Sequence, residues 1–246
     1  MDRLLYISMT GAKHSFYQQA VLANNLANAS TDGYKAQNTA FRALPVYGPG
    51  MPTRTFVVDS TPNSDLSGGT LKTTGRPLDL AMQGRGWFAV QDAKGNEAYT
   101  RNGAVEITST GLLVTNNGRP LIGDGGPITV PEDSEVYVSK DGTVSLVTNN
   151  QVQNAVQVGR LKLVNPADQD LVRGDDGLFR QKNGQPALAD AGVNLASGVL
   201  EASNVSAVNT LINIIEASRM FDMQVKMMQK SDESTAKAAS VMSLTS

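Results

Sequence analysis

The two ends of this chain carry apolar rows at heptad spacing, and neither row has a neighbour in sequence that could bury it. Near the N-terminus Leu5, Met9, Ala12, Phe16, Gln19, Ala23 and Leu26 alternate steps of four and three, with no proline and one glycine, Gly11. That spacing predicts one face of a long helix. Near the other end Leu211, Ile214, Ser218, Phe221, Val225 and Met228 repeat the pattern, continuing weakly through Thr235, Ala239 and Met242. A second row, Val208, Ile212 and Ile215, predicts a broader and more buried face over the first three turns of this helix. Ser203-Asn204 or Ser206 is expected to supply its N-cap. The simplest way to cover both rows is to pack the terminal helices on each other, with everything between them inserted.

The inserted stretch follows a different pattern. Six of the seven Asn-Gly or Asp-Gly pairs fall between Asn102 and Gly184, and each supplies residues that tolerate positive φ in tight turns. The segments they punctuate, among them "GWFAVQ", "GLLVTN" and "EVYVSKDGTVSLV", alternate or run apolar as strands do. A compact antiparallel β domain is expected over 70–185. Residues 31–69 hold Pro45, Pro49, Pro52 and Pro62 and one β-like run, "TRTFVV", so they read as an extended arm with a strand or hairpin, returned by 186–203. The fold class that follows is α+β, with helices 1–30 and 204–246 forming a coiled-coil-like layer and the β domain inserted between them.

Composition removes most chemistries. The chain has 246 residues, enough for one sizeable core or two small ones. With 21 basic and 23 acidic residues interspersed, it offers no basic field for nucleic acid. It has no cysteine and one histidine, His14, so disulfides, thiolate metal sites and a Ser-His-Asp triad have no material. His14 is expected to be exposed or interfacial on its helix. The opening lacks the charged start and apolar run of a secretory signal, and no apolar stretch is long enough to span a bilayer.

Each remaining candidate site has a plainer explanation. "GDGGP" at 123–127 lacks the Lys-Ser/Thr and following helix of a phosphate loop, which leaves a hairpin or bulge. Asp175-Asp176 with Glu132, Asp133 and Glu135 lacks calcium-loop spacing, which leaves turn and surface roles. Trp87 reads as a buried anchor of the β domain. No small-molecule ligand, metal or cofactor is implied. Met220, Met223, Met227, Met228 and Met242 are different, because one helix-pair face cannot use them all. Flexible, polarizable methionine suits contacts between subunits.

The N-terminal helix ends in "ANNLANASTDGYK". Asparagine is a weak helix former that favours caps and turns, so Asn24, Asn25 and Asn28 are expected to bond neighbouring chains and fix register. Thr31, Asp32, Gly33 and Tyr34 are expected to form the turn or hinge by which the chain leaves the helix layer, with Gly33 at positive φ and Tyr34 as an anchor.

This segment resembles the N-terminal signature of the flagellar rod and hook family of axial proteins. So do "GRPLDLAMQGRGWFAVQD", "YTRNGAVEITSTGLLVTNNGRPLIGDGGPITVP", "GRLKLV", "DDGLFR", "SGVLEASNV" and "LINIIEASRMFDMQVKMMQ". The opening "MDRLLYISMTGA" and the length resemble proximal-rod members more than longer distal-rod ones. The resemblance implies a structural subunit that is not an enzyme, stacked with copies of itself and with other proximal and distal rod subunits in the periplasmic part of the basal body. It also implies passage through the flagellar type III export apparatus without a cleaved signal. The expected assembly interface is Leu5, Met9, Phe16, Asn24, Asn25, Leu26, Asn28, Leu211, Ile214, Ile215, Phe221, Val225 and Met228. Other readings stay open: another axial subunit of the family, of distal-rod or hook type, an enzyme in the inserted β domain, and a non-axial binding module.

Overall fold

The computed structural model describes residues 3–45, 55–59, 63–131, 135–147 and 156–244. Pro49, Pro52, Pro62, Glu132 and Asp133 lie outside the described residues. The architecture is α+β: the N- and C-terminal helices pack together, and the middle of the chain is rich in antiparallel strands. The chain divides into two compact units. One comprises Met1–Ala29, Ala36–Asp65 and Val205–Ser246, and the other Ser30–Lys35 and Leu66–Asn204.

The first, helical unit contains α1, Arg3–Ala27, and α2, Ala207–Leu244. Helix α2 begins where Ser206 Oγ accepts the Asn209 amide at 3.4 Å, as an N-cap does. Within this unit Phe41–Pro45 pairs antiparallel with Thr55–Asp59. His14 lies on α1 and is buried, not exposed; its Nε2 donates to the Val57 carbonyl at 2.7 Å and its ring meets Phe41 edge-on.

The rows that pair the helices are rotated from those the spacing suggests. On α1 the buried positions besides His14 are Ser8, Ala12 and Ser15, with Asn25 near the end; Met9, Phe16 and Ala23 face outward. On α2 the covered row is Thr210, Ile214, Ala217, Phe221, Gln224, Met228 and Ser231, again in steps of four and three. It takes Ile214, Phe221 and Met228 from the expected row but replaces Leu211, Ser218 and Val225. Val208, Ile212 and Ile215, expected to broaden the buried face, are exposed.

Small residues line the α1 side of the contact: Ser8, Ala12 and Ser15 are buried, and the Gln224 side chain lies over Gly11, 2.9 Å from where a Cβ on that glycine would be. The hydroxyls placed there bond their own helices, Ser15 Oγ to the Gly11 carbonyl and Thr210 Oγ1 to the Ser206 carbonyl. Apolarity marks what must eventually be covered, and size decides which face covers which.

The second, β unit is built around a five-stranded antiparallel sheet in the order Leu163–Val164, Trp87–Gln91, Glu97–Thr100, Phe179–Gln181, Leu171–Arg173. Phe88, Val90 and Ala98 enter one apolar cluster with Leu80, Val105, Leu121 and Val144. Trp87, Ala89 and Tyr99 enter another with Val164 and Phe179. Both faces of this sheet are therefore buried, and "WFAV" runs apolar without alternating. Trp87 is the expected anchor: it packs on Phe179 at 4.7 Å and carries the Arg101 guanidinium over its ring at 5.2 Å. Tyr99 donates to Glu97 and accepts the Ala187 amide, and burial pushes its phenol up to about 12.

The polar candidates settle into structural roles. "GDGGP" forms a hairpin, Ile122–Gly123 against Gly126–Pro127. Asp176 pairs with Arg180, which also binds the buried Asp92 at 2.8 Å. The Arg180 hydrogen bond, with the Asn96 and Lys94 amides, holds the Asp92 carboxyl well below the usual carboxylate range against the opposing effect of burial. The same guanidinium lowers Asp176.

Candidate assembly surface

Helix packing leaves two apolar faces uncovered. On α1 the outward side chains are Tyr6, Met9, Phe16 and Tyr17, with Phe16 59% exposed. On α2 a stripe runs over the first turns through Val208, Leu211, Ile212 and Ile215, and Met220, Met223 and Met227 are exposed further along among the exposed Arg219, Asp222 and Lys226. Val208 is 69% exposed and Ile215 53%. Single exposed apolar residues are ordinary, but a contiguous stripe on a helix marks a surface built to be covered.

Of the sequence-derived interface residues, Met9, Phe16, Asn24, Leu211 and Ile215 are exposed. Leu5, Leu26, Asn28, Ile214, Phe221, Val225 and Met228 are half-buried. Asn25 is buried, with its amide committed inside the chain: Nδ2 donates to the Gln37 carbonyl at 2.8 Å and Oδ1 accepts the Gln37 N–H at 2.9 Å. In this reciprocal pair a side-chain amide takes the place of a strand partner. Asn28 Nδ2 donates to the Asn24 carbonyl and so satisfies one of the helix's last acceptors.

The turn that follows belongs to the β unit. The Tyr34 amide donates to the Thr31 carbonyl, and Gly33 has φ of 70°. Gly33 N–H donates to the Glu201 carbonyl at 2.6 Å, and Tyr34 is buried beneath the Arg173 guanidinium at 4.6 Å. Beside it Lys35, Arg101 and Glu201 form a buried ion cluster. All three stand in segments that resemble the family, "ANNLANASTDGYK", "YTRNGAVEITST" and "SGVLEASNV", but no role follows for any of them from the sequence. Partners 166 and 100 residues apart along the chain leave no local signal.

The chain is similar to known proteins along almost its whole length. The family model described as "Flagella basal body rod protein" matches residues 5–35. "Flagellar hook protein FlgE/F/G D1 domain" matches 81–146, and "Flagellar basal body rod FlgEFG protein C-terminal" matches 196–241. The flagellar basal-body rod protein FlgF of Escherichia coli K12 is 46% identical over 99% of this chain and 100% of its own length. The FlgF of Salmonella typhimurium LT2 matches equally well over the same shares. This chain belongs to the FlgF family of flagellar basal-body rod proteins. The FlgF of Caulobacter vibrioides is 35% identical over 95% of both chains. As a FlgF-family member the chain is a structural subunit of the basal-body rod, not an enzyme, and it assembles with other axial flagellar proteins. The first and last family matches cover α1 with its turn, and α2 with the strand that carries Glu201.

Proposed function

We propose that this subunit builds the proximal part of the rod, and that the exposed faces of α1 and α2 are its assembly interface. The observation that carries this reading is the exposed α2 stripe of Val208, Leu211, Ile212 and Ile215. Covering one large apolar side chain contributes about 1.5–3 kcal/mol, and the contact between α1 and α2 uses Ile214, Phe221 and Met228 beside the small Ser8, Ala12, Ser15 and Ala217. Val208, Leu211, Ile212 and Ile215 are left for neighbouring subunits to cover. Met9, Phe16, Leu211 and Ile215 form the centre of the interface. Leu5, Asn24, Leu26, Asn28, Ile214, Phe221, Val225 and Met228 flank it. Neighbours are copies of this chain and other proximal and distal rod proteins, with helices packed side by side in a coiled-coil-like layer. Methionines adapt that layer to neighbours of different sequence. Export through the type III apparatus without a cleaved signal delivers the chain to a periplasmic tube that works as a drive shaft.

Limited proteolysis of the purified, unassembled protein with mass mapping tests the energetic premise. Cleavage is expected first within α1 and α2, leaving a resistant core that retains the β unit. Resistance of both helices equal to that of the β unit would show a helix pair stable by itself, and the reading would lose its driving force.

A further inference from the structure

The chain passes in and out of the β unit next to one carboxylate. Glu201 Oε1 accepts from Lys35 Nζ at 2.6 Å and from the Gly69 amide at 2.9 Å, and Oε2 accepts from Arg101 Nη1 at 3.0 Å. The Glu201 carbonyl accepts the Gly33 amide. Lys35 Nζ also donates to the Ser67 carbonyl at 2.6 Å, which receives the Asn204 side-chain amide at 3.2 Å. The Asn204 N–H donates to the Tyr34 carbonyl, and Arg173 Nη1 donates to the Lys35 carbonyl at 2.8 Å. Lys35, Glu201 and Arg101 are 1%, 2% and 5% exposed.

These bonds tie together 30–35, 66–69 and 201–204, the segments at which the chain enters and leaves the β unit. Two buried cations share one carboxylate. An ion cluster withdrawn from water gains little net stability against an apolar equivalent, yet removing one member leaves its partners charged and uncompensated. Such a cluster holds one arrangement and penalises others steeply.

We infer that Glu201 and Lys35 lock these three segments to one another as one stiff joint inside the β unit, so that the points at which load enters this unit move together. Gly33 lets the turn approach, Lys35 reaches the carboxylate, and Arg173 over Tyr34 holds the turn from its other side. All of them are positioning residues. The mechanical use of the joint rests on the rod-subunit reading; its existence does not.

Hydrogen exchange on the full-length protein tests it. In the unmodified chain the amides of Gly33, Gly69 and Ala202 are expected to exchange as slowly as Ala89 in the central sheet. Lys35→Met keeps the volume and removes one cation, and should speed Gly33 and Gly69 by on the order of 100-fold while leaving Ala89 unchanged. Glu201→Gln should have the larger effect, and adding Lys35→Met to it should cost less than the two single effects combined. Exchange at Gly33 in the unmodified chain at the rate of a free peptide would overturn the joint. So would an unchanged Gly33 in Lys35→Met. If Glu201→Gln fails to fold, the unmodified chain and Lys35→Met still decide. Counting rods in cells that carry Lys35→Met separates the readings: faster Gly33 exchange in the variant with normal rod numbers leaves the joint standing and removes its mechanical use.

Discussion

Ile215→Asp is expected to abolish rod formation while leaving the isolated protein as stable as before. Ile215 lies in the α2 stripe, half exposed and outside the row that meets α1. In the unassembled chain the substitution is a surface change, worth about 0.5 kcal/mol or less. In the rod it forfeits about 2 kcal/mol of apolar burial and adds the cost of desolvating a carboxylate with no partner. The defect recurs at every copy, so it multiplies along the tube. Thermal unfolding of the purified variant and a count of hook-basal bodies from cells expressing it are the two readouts. Normal rods would place the interface elsewhere. Phe221→Asp would be a poorer test, because Phe221 is half-buried in the row that pairs the helices, and loss of assembly could then follow from loss of the pair.

Gly33→Val should undock the signature turn. At φ of 70° a β-branched residue costs roughly 1–3 kcal/mol. The larger obstacle is space, since a Cβ there would lie 2.3 Å from the Asn102 backbone nitrogen and 2.4 Å from the Arg101 carbonyl carbon. Neither contact can be relieved by turning a side chain, so the turn must move and give up the Gly33 bond to Glu201. The expected results are proteolytic sensitivity at 30–35, a lower unfolding midpoint and few or no rods. Gly33→Ala, which meets the same backbone atoms, should show most of the effect. A Gly33→Val protein with unchanged melting and normal rods would show that the turn does not sit against the 101–102 segment.

How much of this was legible depended on whether the signal was local. Turn pairs and apolar runs located the β-rich middle because they act within a few residues. Trp87 and the Gly123–Pro127 hairpin were readable for the same reason. The heptad rows located both helices and their pairing, but not the faces that meet. Ala12 belongs to both the expected and the buried row, but Ser8, Ser15 and Ala217 join it where the spacing points to Met9, Phe16 and Ser218. Asn25, expected to bond a neighbouring helix of the assembly, binds Gln37 twelve residues on. The ion cluster was beyond reach, because a lysine, an arginine and a glutamate in a chain 18% charged carry no mark of burial until the fold brings them together.

The central claim is that the outer face of α2 is covered in the rod and bare outside it. The chain has no cysteine, so a single Ile215→Cys substitution, which removes less bulk than it preserves, gives one thiol whose accessibility can be read directly. Its rate of modification by a soluble maleimide should be that of an open thiol in the purified subunit and should fall steeply in intact basal bodies, while Asn117→Cys, on an exposed turn of the β unit, reports whether the reagent reaches the assembled rod. Protection of position 215 only in the rod is the predicted result. Equal reactivity at position 215 in subunit and rod would mean that the stripe faces solvent in both, and would contradict the account.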